Sequence, residues 1–184
     1  MILGIDVSTS ITGFAIIGKK GQLIDSYSCD LRKYKNVFDK AEQVAKVLED
    51  YSSMFAENIE SVYIEQSLFM FMSGRSSAKT IALLSKFNGI VSWLCYDILD
   101  IKPEFLAATT ARKHCGIKVP RGKKAKEVVL QYLLDNEPNF KIEYTRNGNP
   151  KPESYDRADA IVIARAAQKI ENENLQLDQT QNKT

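Results

Sequence analysis

Four carboxylates stand out in the sequence because of their neighbours. Asp6 interrupts the apolar run that opens with Ile2-Leu3-Gly4-Ile5, and Glu65 closes the β-branched run Ser61 to Ile64. Asp156 and Asp159 lie three apart near the start of a stretch otherwise rich in Ala and Ile. A charged group inside an apolar strand is unfavourable unless it is paired or coordinates a cation. An i, i+3 spacing puts Asp156 and Asp159 on one helical face. The donors are all oxygen: there is a single histidine, His114, and Cys29, Cys95 and Cys115 are too widely separated for a ligand motif. Such a set selects a hard cation, Mg²⁺ or Mn²⁺. Two such ions about 3.5–4 Å apart stabilise both the attacking water and the leaving 3′ oxygen of an in-line phosphodiester cleavage. Each acid alone has an ordinary reading. Asp6 can cap a turn, Glu65 can pair with a core arginine, and Asp156 with Asp159 can favour the positive end of a helix. Their joint placement favours a metal centre held by Asp6, Glu65, Asp156 and Asp159.

Two further stretches carry candidate contacts. Arg112, Lys113, Lys118, Arg121, Lys123, Lys124 and Lys126 fall in one segment with no acid among them, and since the chain totals +2, the remainder carries −5. A charge run is usually a solvated face. Here Gly116, Pro120 and Gly122 make part of it a loop, which favours contact with phosphates and salt-dependent binding. After Glu65 comes Leu68-Phe69-Met70-Phe71-Met72 followed by Ser73-Gly74-Arg75. Apolar residues beside a metal centre can be core. They can also wedge between or stack on bases, with Phe69 the first candidate and Phe71 the second, and Arg75 beside them for the backbone.

The elements that must position these groups follow from periodicity and turn residues. Met1 to Val7, Thr12 to Ile17 and Gln22 to Cys29, separated by Ser8-Thr9-Ser10 and Gly18-Lys19-Lys20-Gly21, predict a three-strand antiparallel meander. Apolar residues at helical spacing predict a helix over 36–57, with Val37, Ala41, Val44, Ala45, Leu48 and Tyr51 on its inner face. Ser61 to Glu65 is then a fourth strand, parallel to the first because a helix intervenes, so Asp6 and Glu65 should lie side by side. Helices are expected over 78–96, 122–134 and 154–171, and a fifth strand over 103–107. The order βββαβαβα is that of a mixed α/β layer fold of the ribonuclease H type. It gives one domain over 1–171 and a frayed, Asn/Gln/Asp-rich tail over 172–184.

Composition limits the alternatives. With 184 residues, 44% hydrophobic and 26% charged, the chain fits one globular domain and excludes a fibre or a disordered tail. Its longest apolar run, Gly89 to Leu99, is broken by Asp97 and is too short to span a membrane. With no leader pattern and an odd number of scattered cysteines, a cytoplasmic, reducing location is expected.

Three motifs in order, Leu3-Gly4-Ile5-Asp6-Val7-Ser8-Thr9-Ser10-Ile11-Thr12-Gly13-Phe14-Ala15, Ile64-Glu65-Gln66 and Asp156-Arg157-Ala158-Asp159-Ala160, resemble those of the RuvC family of Holliday junction resolvases, with matching separations across nearly the whole chain. The resemblance implies a ribonuclease H-like homodimer that uses Mg²⁺ to cut opposed strands of a four-way DNA junction, leaving 5′-phosphate ends. It makes Asp6, Glu65, Asp156 and Asp159 the metal-binding set and Lys123 or Lys124 the lysine near the scissile phosphate. Phe69 falls one position from the family's stacking aromatic, and the helix over 78–96 becomes the dimer interface, with Gly89 permitting close approach. Val7-Ser8 in place of Pro-Gly and the long polar loop from Phe140 to Pro152 depart from the bacterial pattern and mark a divergent branch of phage or viral type.

Other classes remain in view. An actin-like sugar kinase also opens with Gly-Ile-Asp and a hydroxyl turn, but needs a second domain and has no use for paired acids on a late helix. A non-catalytic branched-DNA binder would have lost acids that are all present here. A related nuclease acting on flaps, forks or three-way junctions would use the same chemistry with a different substrate channel.

Overall fold

Alternation along the first strands decides the layers. In the computed structural model, which describes residues 1–55, 58–66 and 78–181 (side chains at 178, 180 and 181 aside), β1 (Ile2–Asp6), β2 (Ile11–Ile17) and β3 (Leu23–Asp30) form the predicted meander. Leu3 and Ile5 of β1, with Phe14 and Ile16 of β2, point to one face, while Ile2, Ala15 and Ile17 point to the other. This is the period of two that a sheet covered on both sides requires. The helix α1 (Val37–Phe55) returns the chain to β4 (Ser61–Glu65), which pairs parallel to β1 with Ile5 opposite Ile64. Next come α2 (Ala78–Leu99) and the short strand β5 (Glu104–Leu106), parallel to β4. The sheet order is β3-β2-β1-β4-β5.

Helices α3 (Ala108–His114), α4 (Ala125–Asn136) and α5 (Glu153–Gln181) complete the chain. One core lies between the sheet and α1 with α2. The other lies between the opposite sheet face and α3, α4 and α5. Glycines set how deeply α5 sinks: a Cβ on Gly4 would come within 2.5 Å of the Ala160 carbonyl oxygen, and one on Gly13 would run into the Asp156 backbone. The small Ala158, Ala160, Ala164 and Ala167 on the helix side complete this close approach.

Two predicted elements are corrected. Residues 108–114, which carried no prediction, form α3, too short for a periodic signal. The helix expected over 122–134 starts at Ala125, because Gly122 takes φ +83° in the preceding turn. The last helix does not stop at Glu171, just before the expected frayed tail, but runs to Gln181. Nothing between Asn172 and Gln181 is a glycine or proline, and extending a helix already nucleated on a core is easy. The loop from Phe140 to Pro152 folds back as a turn, with Tyr144 bridging to Pro150 and Gly148 at φ +76°.

Candidate active site

The two strand acids belong to the face on which α5 lies. Asp6 shares parity with Ile2, and Glu65 with Tyr63, all on the α5 side. The register that sets Ile5 beside Ile64 brings Asp6 next to Glu65. The strand ends are fixed from behind. Asn88 of α2, itself buried, donates from Nδ2 to the Glu65 carbonyl at 3.1 Å, and the Gln66 amide donates to Leu106 at 3.0 Å. Beyond Asp6, the Thr12 hydroxyl donates to the Ser8 carbonyl at 2.9 Å and closes the Ser8–Ser10 turn.

Asp156 and Asp159 reach the same place from the start of α5, as their spacing predicted. All four acids are largely withdrawn from water, Asp6 at 8% exposure and Asp156 at the same value. Burial first, then the charges of Glu65 and Asp159, hold the Asp6 carboxyl well above the usual carboxylate range. Burial and then Asp159 push Glu65 up to about 7. Burial, against the pull of Lys126 and with the push of Asp156, takes Asp159 to about 6. Asp156 is raised by burial as well. These carboxylates have too much like charge and too little water.

The cation that stands among them is Lys126. Its Nζ lies 2.9 Å from Asp156 Oδ1 and 3.7 Å from Asp159 Oδ2. Although partial burial pulls the other way, the Asp6 and Asp156 charges raise its pKa. The sequence reading put Lys126 only in the DNA-contact stretch and placed Lys123 or Lys124 at the centre. Instead, Lys124 turns away to Glu127 at 3.0 Å, and Lys123 is exposed in the turn before α4. The missed signal was helical phase: Lys126 lies three, four and seven residues before the buried Val129, Leu130 and Leu133, on the face that meets α5.

The donor chemistry fits a hard divalent ion: four buried oxygen ligands whose repulsion such a charge would relieve. As arranged with Lys126 between them, no three His, Cys, Asp or Glu side chains among the described residues are grouped to hold a metal. Asp6, Glu65, Asp156 and Asp159 would be the residues to hold such an ion, whose charge would add to or replace the neutralisation that Lys126 gives them.

Around this centre, the charge of Arg112 on α3 offsets part of the rise in the Glu65 and Asp159 pKa values. Arg112, Lys113 and Lys118 line a shallow hollow of about 360 Å³ with Thr109, Gly116, Ile117 and Val119. Arg121 is exposed in the same connection. Phe69, Phe71 and Arg75 lie outside the described residues. No described helix is long and apolar enough to cross a membrane, and Cys29, Cys95 and Cys115 are buried free thiols.

A three-layer mixed sheet with acids converging at the end of its central parallel pair defines the ribonuclease H-like fold. Solved structures with this architecture include RuvC of Thermus thermophilus in complex with a Holliday junction substrate, at a TM-score of 0.65 and 13% identity over 93% of this chain and 94% of that one. A second Thermus thermophilus RuvC structure matches at 0.64 and 14%, covering 94% and 96% of the two chains. The yeast mitochondrial Holliday junction resolvase matches at 0.55 and 16%, covering 91% and 77%. No family model and no curated protein matches the sequence. The likeness is thus one of fold, spanning nearly the whole chain, and it agrees with the resemblance carried by the three motifs.

Proposed function

We propose that the protein is a metal-dependent endonuclease that resolves four-way DNA junctions as a homodimer, leaving 5′-phosphate ends. The observation that carries this reading is the convergence of Asp6, Glu65, Asp156 and Asp159, from two strands and one helix, on a fold that RuvC shares. These residues would hold Mg²⁺ or Mn²⁺, probed as one ion or two. Bound there, the metal supplies the charge that activates water and stabilises the leaving oxygen. The protein's own part is to position and to neutralise. Asn88 and the Ser8–Ser10 turn hold the strand ends, and the Gly4 and Gly13 contacts keep α5 against them. Lys126, displaced from Asp156, remains beside the acids to face a phosphate, while Arg112, Lys113, Lys118, Arg121, Lys123 and Lys124 bind the backbone on the α3–α4 side. The fold-side support for the dimer is α2, whose outer face leaves Leu83, Trp93 and Tyr96 exposed, with open space beside Gly89. Two active sites are needed to cut two strands together. The buried reduced thiols accord with action on DNA in the cytoplasm.

Asp6→Asn should abolish Mg²⁺-dependent incision of a synthetic four-way junction while binding in Ca²⁺ persists. Cleavage retained by that variant would sink the assignment. Mapped, symmetric paired nicks with 5′-phosphates separate a resolvase from a nuclease of flaps or forks.

A further inference from the structure

The segment from Arg32 to Lys40, between β3 and α1, has a composition that the acid centre does not use: Arg32-Lys33-Tyr34-Lys35, then Phe38 and Lys40. It is rigid. Leu31 is fully buried and its amide donates to Ser10, the Tyr34 amide donates to Leu31 at 3.1 Å, and Asn36 caps α1 by accepting from the Asp39 amide at 2.8 Å. It is also tied to the candidate active site from two sides. Lys40 Nζ donates to the Thr9 carbonyl in the turn that follows Asp6. Arg32 bridges Asp30 and, at 2.5 Å, Glu153, one helical turn before Asp156.

On this fixed base Phe38 is 72% exposed, more than any other large apolar side chain among the described residues. In the same segment Lys33 lies over the Tyr34 ring, 5.0 Å from its centroid. Arg32 and Lys40 are engaged, while Lys33 and Lys35 make no ion pair within 4.0 Å among the described residues. An exposed ring in a segment that also carries two unpaired lysines matches a polyanion that carries flat faces. Stacking needs an unpaired base, while the lysines suit its flanking phosphates.

We propose that Arg32–Lys40 is a second DNA-contact surface, a platform on which Phe38 stacks against an unpaired base of the branched substrate and Lys33 and Lys35 hold the adjoining phosphates. It rests on the nuclease reading above and adds to it a contact for single-stranded nucleotides apart from Phe69 and Phe71, in the connection between β3 and α1. A duplex, whose bases are covered, would gain little from it.

The test measures binding in Ca²⁺, without cleavage, to a four-way junction carrying 2-aminopurine in unpaired nucleotides at the crossover and to a plain duplex of the same length. Wild-type protein should quench the probe. Phe38→Ala should lose the quenching and about tenfold in affinity for the junction, with duplex binding and the melting temperature unchanged, and Phe38→Trp should restore both. Lys33→Ala with Lys35→Ala should reduce the slope of log K against log salt by about 1.4, two single-strand phosphates. Unchanged quenching and affinity in Phe38→Ala, or an unchanged slope in the lysine pair, would overturn the platform. So would a shift of Phe38→Ala from dimer to monomer in sedimentation, which would make the ring a protein contact. Because cleavage plays no part, failure here leaves the incision result with Asp6→Asn standing, and failure of that result leaves this one readable.

Discussion

Helices α5 and α2 are the longest in the molecule and lie on opposite faces of the same sheet, yet they are built on opposite rules. From Tyr155 to Ile170, α5 is sunk between β1, β2, β3, α3 and α4, with a seam of alanines that Gly4 and Gly13 receive. The carboxylates of Asp156 and Asp159 are therefore fixed by backbone contact. By contrast, α2 buries a narrow stripe, Phe87, Asn88, Val91 and Cys95, and leaves Leu83, Trp93 and Tyr96 in water. One helix is committed to the interior and holds the two acids of the proposed site. The other anchors β4 through Asn88 and leaves apolar surface exposed, the surface on which the proposed dimer would close.

The largest effect should come from breaking the sunken side. Gly13→Val places side-chain atoms where the Asp156 backbone now lies, so we expect a loss of about 3 kcal/mol together with loss of metal binding. Denaturant melts and a Mn²⁺ titration check both. A Gly13→Val protein of wild-type stability would show that α5 is less tightly held than its contacts indicate.

A mid-sized effect lies in the acids themselves. Glu65 near 7 and Asp159 near 6 sit above their unfolded values, so between about pH 4 and 7 the native state binds more protons than the unfolded one. In EDTA, stability should therefore fall as pH rises through that window, by the order of 2 kcal/mol, and level off above it. Saturating Mg²⁺ should remove the fall, and Glu65→Gln should flatten it. Thermal melts from pH 4.5 to 8.5 provide the measurement, and a rise of metal-free stability over the same range would contradict the placement of these groups.

The smallest effect on the fold belongs to α2. Trp93→Arg should leave stability within about 0.5 kcal/mol, as for an exposed site, yet convert the proposed dimer to monomer in sedimentation. A destabilised monomer, or an undisturbed dimer, would mean that the outer face of α2 has another role.

Legibility in the sequence follows the same division. Strict alternation made β1, β2 and β4 readable, and with them the positions of Asp6 and Glu65. The i, i+3 spacing made the pair on α5 readable. Lys126 was hidden because its charge drew it into a basic run, whereas its helical phase tied it to α5. The Arg32–Lys40 platform was hidden because its residues look like an ordinary polar connection until the rigid cap and the exposure of Phe38 are seen. Helix α3 gave no periodic signal in its seven residues, and the stretch to Gln181 stays helical because it contains no glycine or proline to stop it. For Lys126 and the Arg32–Lys40 segment the missing information was tertiary: which face of an element meets its neighbour.

On the proposed function, the four carboxylates hold a divalent cation, and Lys126 competes with it for their charge. Mn²⁺ titration followed by electron paramagnetic resonance tests it most directly, since free Mn²⁺ gives a six-line signal that binding diminishes. Wild-type protein should take up Mn²⁺, Asp6→Asn should lose that uptake, and Lys126→Met should bind several-fold more tightly because the competing ammonium is gone. Undiminished free-ion signal with the wild type, or equal uptake by Asp6→Asn, would contradict the account.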